Sequence, residues 1–372
     1  MRSVGFIAAV SCVVVIVVGQ LVDAPIAPIL FAVLVIFTVA AAQISRRYVA
    51  FRLLSLIPVM LSVTFLTFIM LNLLPGDPAA NILGQAATPE AIEQFREENR
   101  LDDPVVTRYL RWLGDAAKGD LGRSPFLQED VRDGLARTLP ISLQFMVYAQ
   151  LTALLIAVPL GVYTAYRAGR RVDNVVSTSA FGVLAVPNFV LAILMIFFFA
   201  LGGFSAFGRD VGTDVFPATG HVHFGESVFD HIKHWILPVL ALASGQAVVY
   251  MRLLRTDMIA TLQEDYINVA KAKGMSNQRI LLMHALRPSS FTLLTVAGVN
   301  IGALVGGSLI LETIFNIPGV GTYLATAIFQ RDWLAVQGVV VVLAVGFVFA
   351  NFAVDVFYAV LDPRIRNARA IA

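Results

Sequence analysis

Apolar positions in this chain come in runs of about 20 residues, the length of a helix that crosses a hydrocarbon core of about 30 Å. Eight runs stand out, at about 4–22, 24–42, 50–74, 141–166, 174–203, 235–256, 289–315 and 334–361. Barrel strands would be about 10 residues long with strict alternation, and that pattern is absent. The pattern predicts an all-α polytopic membrane protein. The first run could be mistaken for a signal peptide, but it has no convincing small-x-small cleavage site and a second run follows at once. It reads as half of an uncleaved hairpin that turns near Asp23-Ala24-Pro25.

The polar stretches between the runs set the expected orientation. Flanks on one side, from Arg46, Arg47 and Arg52 through to Arg364, Arg366 and Arg369, hold fifteen basic residues against five acidic ones. On the other side, segment 75–140 holds twelve acids and eight bases. The basic side is expected to be cytoplasmic, which puts both termini there. Segment 75–140 is the one large extramembrane piece. It opens with the turn Pro75-Gly76-Asp77-Pro78, and Thr88-Pro89-Glu90 predicts a helix start with Thr as N-cap and Pro at the first helical position. Residues 105–117 predict an amphipathic helix, and Gly119–Pro125 a loop. About 65 residues build no large core alone, so this piece is expected to lean on the membrane helices or on a partner. A second outer loop, about 204–234, is Gly-rich.

Composition narrows the function classes. The 372 residues are 58% hydrophobic and 14% charged, against roughly a quarter charged in soluble domains. A net charge of +2 implies no nucleic-acid partner, and the single cysteine, Cys12, allows neither an internal disulfide nor a Cys-based metal site. No P-loop, His-Glu-x-x-His or Gly-x-Ser-x-Gly pattern occurs. Nothing predicts ATP hydrolysis or hydrolase chemistry by this chain, and Ser308 has no histidine in a span to serve as its base.

Candidate chemistry concentrates in the cytoplasmic segment 257–288, where Glu264-Asp265-Tyr266-Ile267-Asn268-Val269-Ala270-Lys271-Ala272-Lys273-Gly274-Met275 leads to His284-Ala285-Leu286-Arg287-Pro288. A short helix carrying Tyr266 and Val269 could enter a groove on a partner. Gly274 would end it and let the chain return along a second helix at about 276–286. The small residues Ala270, Ala272 and Gly274 are expected to leave backbone open to close approach. Within the spans, Asn300, Glu312, Asn351 and Asp355 are polar, and Asn188 follows Pro187 at an expected kink. Lining of a pathway and structural hydrogen bonding both stand open for these five. His221, His223, His231 and His234 share the second outer loop, where a solvated loop and a metal site are the two readings; no metal ligand is assigned.

The segment Asp265-Tyr266-Ile267 with Ala270-Lys271-Ala272-Lys273-Gly274 resembles the coupling loop of ABC importer permeases of the dipeptide/oligopeptide/nickel branch. The leading Glu of the general Glu-Ala-Ala pattern is replaced by Asn268. Leu73-Leu74-Pro75-Gly76-Asp77-Pro78, Leu101-Asp102-Asp103-Pro104, Gly119-Asp120-Leu121-Gly122-Arg123-Ser124 and Arg137-Thr138-Leu139-Pro140 resemble the outer domain of the same permeases. Gly307-Ser308, Glu312–Gly321 and Leu361-Asp362-Pro363-Arg364-Ile365-Arg366 resemble their C-terminal half. The similarity runs in order over about 47–367, so spans 4–22 and 24–42 are additions to it.

The resemblance implies a type I ABC importer transmembrane fold with six core spans, two extra N-terminal spans and a small extracytoplasmic domain. It divides the chain into an N-terminal hairpin (1–45), a first core span (46–74), the extracytoplasmic domain (75–140) and a permease core (141–372). It further implies a bacterial inner-membrane location, a second homologous permease, two ABC ATPase subunits that carry ATP and Mg, an extracytoplasmic substrate-binding protein, and residues 264–274 as the ATPase dock. The expected substrate is a di- or oligopeptide, with nickel or haem as other options. The alternative is a stand-alone ion-coupled secondary transporter, which would favour inverted repeats and paired broken helices.

Overall fold

The computed structural model describes residues 46–72, 79, 88–98, 102–206, 209–211 and 215–361. The expected hairpin over 4–22 and 24–42 lies outside these. In chain order the helices are α1 (Arg46–Asn72), α2 (Pro89–Glu98), α3 (Val105–Ala117), α4 (Val131–Tyr166), α5 (Arg171–Ala185), α6 (Asn188–Phe199), α7 (Val228–Thr261), α8 (Asp265–Ala272), α9 (Asn277–Arg279), α10 (Leu286–Val299), α11 (Ile301–Phe315), α12 (Val320–Phe329) and α13 (Trp333–Leu361). Between α9 and α10 a π-helical turn runs over Ile280–Ala285. One departure from an all-helical chain is a short antiparallel hairpin in the second outer loop, β1 (Phe204–Ala206) with β2 (Arg209–Val211), Ser205 opposite Asp210.

Two helices form the centre of the bundle. α4 and α7 face each other through small residues: Ala149, Ala153 and Ala157 on α4 are fully buried, as are Ala241 and Ala243 on α7. Gly161 continues the α4 stripe at the same four-residue spacing, and a Cβ there would come within 3.1 Å of the Met251 carbonyl. Lipid tails are as apolar as leucine, so helices in a bilayer associate by close packing, and small residues every fourth position permit it. Around this pair sit α5, α6, α10 and α11, while α1 packs on α13.

Two expected spans are broken. The run 174–203 is two helices, α5 and α6, bent by 101°. The break falls at Val186-Pro187, where proline removes a backbone donor. The run 289–315 is interrupted at Asn300. That interruption lies at mid-bundle, since Gln150 from the middle of α4 donates to the carbonyl of Ala297 at 3.4 Å. Beyond it, α11 reaches the 204–234 loop, where Gly220 N–H donates to the Phe315 carbonyl at 2.9 Å. The chain then turns by 74° into α12, a helix that falls between the apolar runs 289–315 and 334–361.

Segment 75–140 leans on the long apolar helices at two places among the described residues. Thr88 caps α2 through its hydroxyl, which accepts from Ala91 N–H at 3.3 Å. α3 packs on α1, with Tyr109 edge-on to Phe65 and Phe68 at 5.0 and 5.6 Å. Loop 119–130 closes on itself through a bridge between Arg123 and Asp130 and is clasped to the α12–α13 turn by Ser124, whose hydroxyl donates to Asp332. α4 begins at Val131 and continues unbroken through Pro140, so the domain boundary placed at 140 falls inside a helix.

Candidate functional site

Segment 264–275 is a short helix with a sharp stop. Asp265 opens α8 and Lys271 sits in its last turn, each complementing the helix dipole. Gly274 follows the helix in the left-handed conformation, φ +75°. Around it Gly274 N–H donates to Lys271 O at 2.9 Å and Met275 N–H to Ala270 O at 3.2 Å, the paired bonds of a Schellman stop. Met275 then packs with Ile267, Ala270 and Ile280. These contacts fold the segment back on itself and send the chain into α9 and the π turn.

The two faces of α8 differ. Ile267 and Ala270, three apart, point inward at 0% and 7% exposure, while Tyr266 and Val269, also three apart, stand out at 45% and 54%. Glu264, Asp265, Lys271, Ala272, Lys273 and Gly274 are exposed as well. Ala270 is therefore corrected: it is small because Ile280 packs against it, and it offers no open backbone to a partner. The Tyr266 hydroxyl donates to the His284 carbonyl at 3.3 Å, next to Met283 and Leu282, which are 63% and 50% exposed. This gives a small apolar and aromatic surface ringed by charge.

That surface is wired to several helices. The Thr261 and Ser289 hydroxyls meet at 3.1 Å, joining the end of α7 to α10. Asn277 Nδ2 donates to the Tyr166 hydroxyl at 3.4 Å, reaching the end of α4. Just before α8, Arg255 on α7 donates from Nε and Nη2 to the two carboxylate oxygens of Asp173 at 2.6 and 2.7 Å. Asp173 also accepts from Gly169 N–H at 2.9 Å. Sequence reasoning had both residues only as flank charges; a lone acid among Arg167, Arg170 and Arg171 was the signal.

The polar residues of the spans are dispersed. Glu312 is fully buried, and one of its carboxylate oxygens accepts from Gly321 N–H at 2.6 Å. Ser142 of α4 accepts from Val320 N–H at 2.8 Å. Together they cap the first turn of α12, a structural role for Glu312. Asn188 lies at the start of α6 opposite Gly245, where an added Cβ would meet its Oδ1 at 3.3 Å. Asn300 interacts with the Tyr250 hydroxyl, which also donates to Gln150 at 3.2 Å. Asn351 and Asp355 fall on α13, but their side chains lie outside those described.

The histidines of the 204–234 loop pack ring against ring, His221 edge-on to His223 at 4.8 Å and to His231 at 6.2 Å. His231 is buried; its Nδ1 bonds the Val222 carbonyl at 2.7 Å, and its Nε2 lies 3.2 Å from both Gln144 Nε2 and the Tyr148 hydroxyl. Both ring nitrogens are thus used. His234 bonds the Asp230 carbonyl at 2.7 Å. His221 packs edge-on to Trp235, and burial, with the neighbouring histidines adding to it, pushes its pKa down to about 4. Among the described residues no group of three or more His, Cys, Asp or Glu is arranged to hold a metal ion.

Comparison with known proteins agrees with this architecture. Residues 157–367 match the family described as binding-protein-dependent transport system inner membrane component, and residues 45–125 match the N-terminal part of such components. A relative from Brucella abortus (strain 2308) is 37% identical over 315 residues, 85% of this chain and 97% of its own length. The dipeptide transport system permease protein DppB of Alkalihalophilus pseudofirmus is 34% identical over 86% of this chain and 99% of its own. The oligopeptide transport system permease protein AppB of Bacillus subtilis is 34% identical over 86% and 98%. The bent spans, the folded-back segment 264–288 and these matches converge: the chain belongs to the family of binding-protein-dependent transport system inner membrane components, and is a multi-pass permease subunit of an ABC importer that works with ATPase and substrate-binding partners and does not itself hydrolyse ATP.

Proposed function

We propose that this permease carries di- or oligopeptides inward by alternating access, with ATP and Mg bound on partner subunits that press on α8. The observation that carries this reading is the two-faced α8. Its inner face is anchored by Ile267 and Ala270, and its outer face offers Tyr266 and Val269 unpaired with any apolar neighbour large enough to bury them. Exposed aromatic and aliphatic residues on a rigid, capped helix suit insertion into a groove. The anchoring makes α8 move with its helices. Displacement of α8 would reach α4 through Tyr166, α10 through Ser289, and α5 through Arg255 and Asp173.

The full assembly in this reading is this chain, a second homologous permease, two ABC ATPases and an extracytoplasmic substrate-binding protein. Both termini lie in the cytoplasm, on the side of α8 and the basic flanks. Peptide is the substrate class because the relatives named above are dipeptide and oligopeptide permeases. Residues 75–140, including loop 119–130 clasped by Asp332, receive the binding protein. The test is gentle purification of the tagged chain from its native membrane, with partners identified by mass spectrometry and uptake of labelled dipeptides measured after reconstitution. Recovery of a second permease and P-loop ATPases, with ATP-dependent dipeptide uptake, is expected. A lone chain active under an ion gradient would overturn the reading.

A further inference from the structure

We infer that α3, within the outer domain, is an interfacial helix whose open edge, Val106 and Leu110, lies against bilayer lipid beside α1. The inference needs only that α1 crosses the membrane; it does not depend on which side the outer domain occupies or on the substrate.

The sequence of α3 gives it a wider apolar arc than α1 covers. Residues 105, 109, 112 and 116 form one stripe. Tyr109 in it is 5% exposed, and its hydroxyl lies 2.8 Å from that of Thr64 and donates to the Leu61 carbonyl at 3.2 Å. Trp112 stacks at a tilt on Phe68 at 6.4 Å. The neighbouring stripe, 106, 110, 113 and 117, is also apolar throughout, yet Val106 and Leu110 are 55% and 59% exposed. Thr107, Arg111 and Asp115 occupy the far side. Such a division, a broad apolar arc opposite a polar one, is that of a helix lying at a membrane surface.

The level at which α3 meets α1 supplies the occupant. The chain is uncharged from Leu53 to Gly76, so this stretch of α1 crosses the hydrocarbon. Phe68, which meets both Tyr109 and Trp112, lies one turn before Asn72, the last described residue of α1, about 6 Å at 1.5 Å per residue, and the Leu61 carbonyl that Tyr109 reaches lies deeper. Interfacial helices bury their apolar face about 5–10 Å into the boundary between headgroups and acyl chains. At the same level α1 shows Leu66 and Met70 to the outside, 58% and 68% exposed. Leu66 and Met70 lie on the side of α1 away from Leu61, Thr64, Phe65 and Phe68, so apolar surface at this level is open on both sides of the α1–α3 contact. Tyr109 and Trp112 are the ring types favoured at that depth, and the Arg111 guanidinium is neutralised by Asp103 at 2.6 Å.

The test places a bimane fluorophore on single cysteines in a Cys12→Ser background, using the complex purified from its membrane and placed in nanodiscs of phosphatidylethanolamine and phosphatidylglycerol. The positions are Val106→Cys, Leu110→Cys, Leu66→Cys as a lipid-facing reference and Thr107→Cys on the polar side. Part of the lipid is replaced by lipid brominated on the acyl chains. The expected result is bromine quenching at 106 and 110 at least half as strong as at 66, with little at 107. Quenching at 66 but not at 106 and 110 would overturn the inference. Iodide quenching there would then show a watery face, and protection from both quenchers would show a protein partner on it. Quenching at 66 also certifies that the labelled protein is inserted and folded.

Discussion

Arg255 and Asp173 form a two-bonded ion pair between α7 and α5, one end of which is 2% exposed and the other 27%. The pair sits between the segment that carries α8 and the broken span, so it is placed to make α5 follow α7. Two charge-assisted bonds to a nearly buried carboxylate contribute about 2–4 kcal/mol to that attachment, judged by the cost of removing one partner. Asp173→Asn and Arg255→Gln are each expected to lower thermal stability in detergent and cut ATP-driven uptake more than fivefold. The exchange Asp173→Arg with Arg255→Asp should recover part of both. No recovery would mean that the pair acts through something other than its mutual attraction.

The two faces of α8 separate docking from folding. Tyr266→Ala with Val269→Asp changes only exposed side chains, so the melting temperature should stay within a degree or two while ATP-driven uptake falls at least tenfold. Ala270→Trp fills space already taken by Ile280, and should lower the melting temperature through overpacking worth about 1–3 kcal/mol. Paired melting and uptake measurements check both.

Gly274 is held at φ +75°, where a side chain costs about 1–2 kcal/mol. Gly274→Val should loosen the Schellman stop and reduce uptake, whereas Gly274→Asn should be close to wild type because asparagine visits this region more readily. Limited proteolysis between Lys271 and Arg279 reports the loosening.

Glu312 caps α12 from within the bundle, and Gly319 leaves the room its carboxylate needs, since a Cβ at Gly319 would run into it. Glu312→Ala strands the Gly321 N–H in a buried site, a loss of about 1–3 kcal/mol. Glu312→Gln retains an acceptor and should cost less. Gly319→Ala should resemble Glu312→Ala. Thermal unfolding of the three variants orders them.

His221 adds a pH dependence outside the spans. Its pKa is pushed down to about 4 by burial, below the ordinary value near 6.5. The unfolded chain then binds more protons than the folded one in this window, so stability is full above about pH 6.5 and falls as pH drops toward 4. His221→Gln should flatten that part of the melting profile. An unchanged slope would assign the acid sensitivity to other groups.

How much of this was legible beforehand depended on whether the cause was local. The helix starts at Pro89 and Val105, the bend at Pro187 and the stop at Gly274 follow from residues acting on their own backbone, and the chain announces them. The break at Asn300 did not show, because an apolar run looks the same whether its helix continues or turns, and α12, at ten residues, is too short to stand out as a run of about 20. Ala270 was misplaced for a related reason: a small residue can serve a partner or an internal neighbour, and only Ile280, brought back by the turn at Gly274, decides. Arg255 and Asp173 are 82 positions apart, and nothing local says which arginine the aspartate finds. For Glu312 the sequence left pathway lining and structural hydrogen bonding open, and the amide that α12 places against it answers to the second.

The most direct test of the central claim, that α8 receives the ATPase, is a contact measurement at its outer face. A benzophenone maleimide on Val269→Cys, in a Cys12→Ser background within the native membrane, is photolysed and the adducts are sequenced by mass spectrometry. The account predicts crosslinks to a P-loop ATPase from residue 269, strengthened or altered when ATP is trapped, and none from the same reagent on Thr107→Cys in the outer domain. Crosslinks from residue 269 only to lipid or to this chain, with uptake intact in the unlabelled variant, would contradict it.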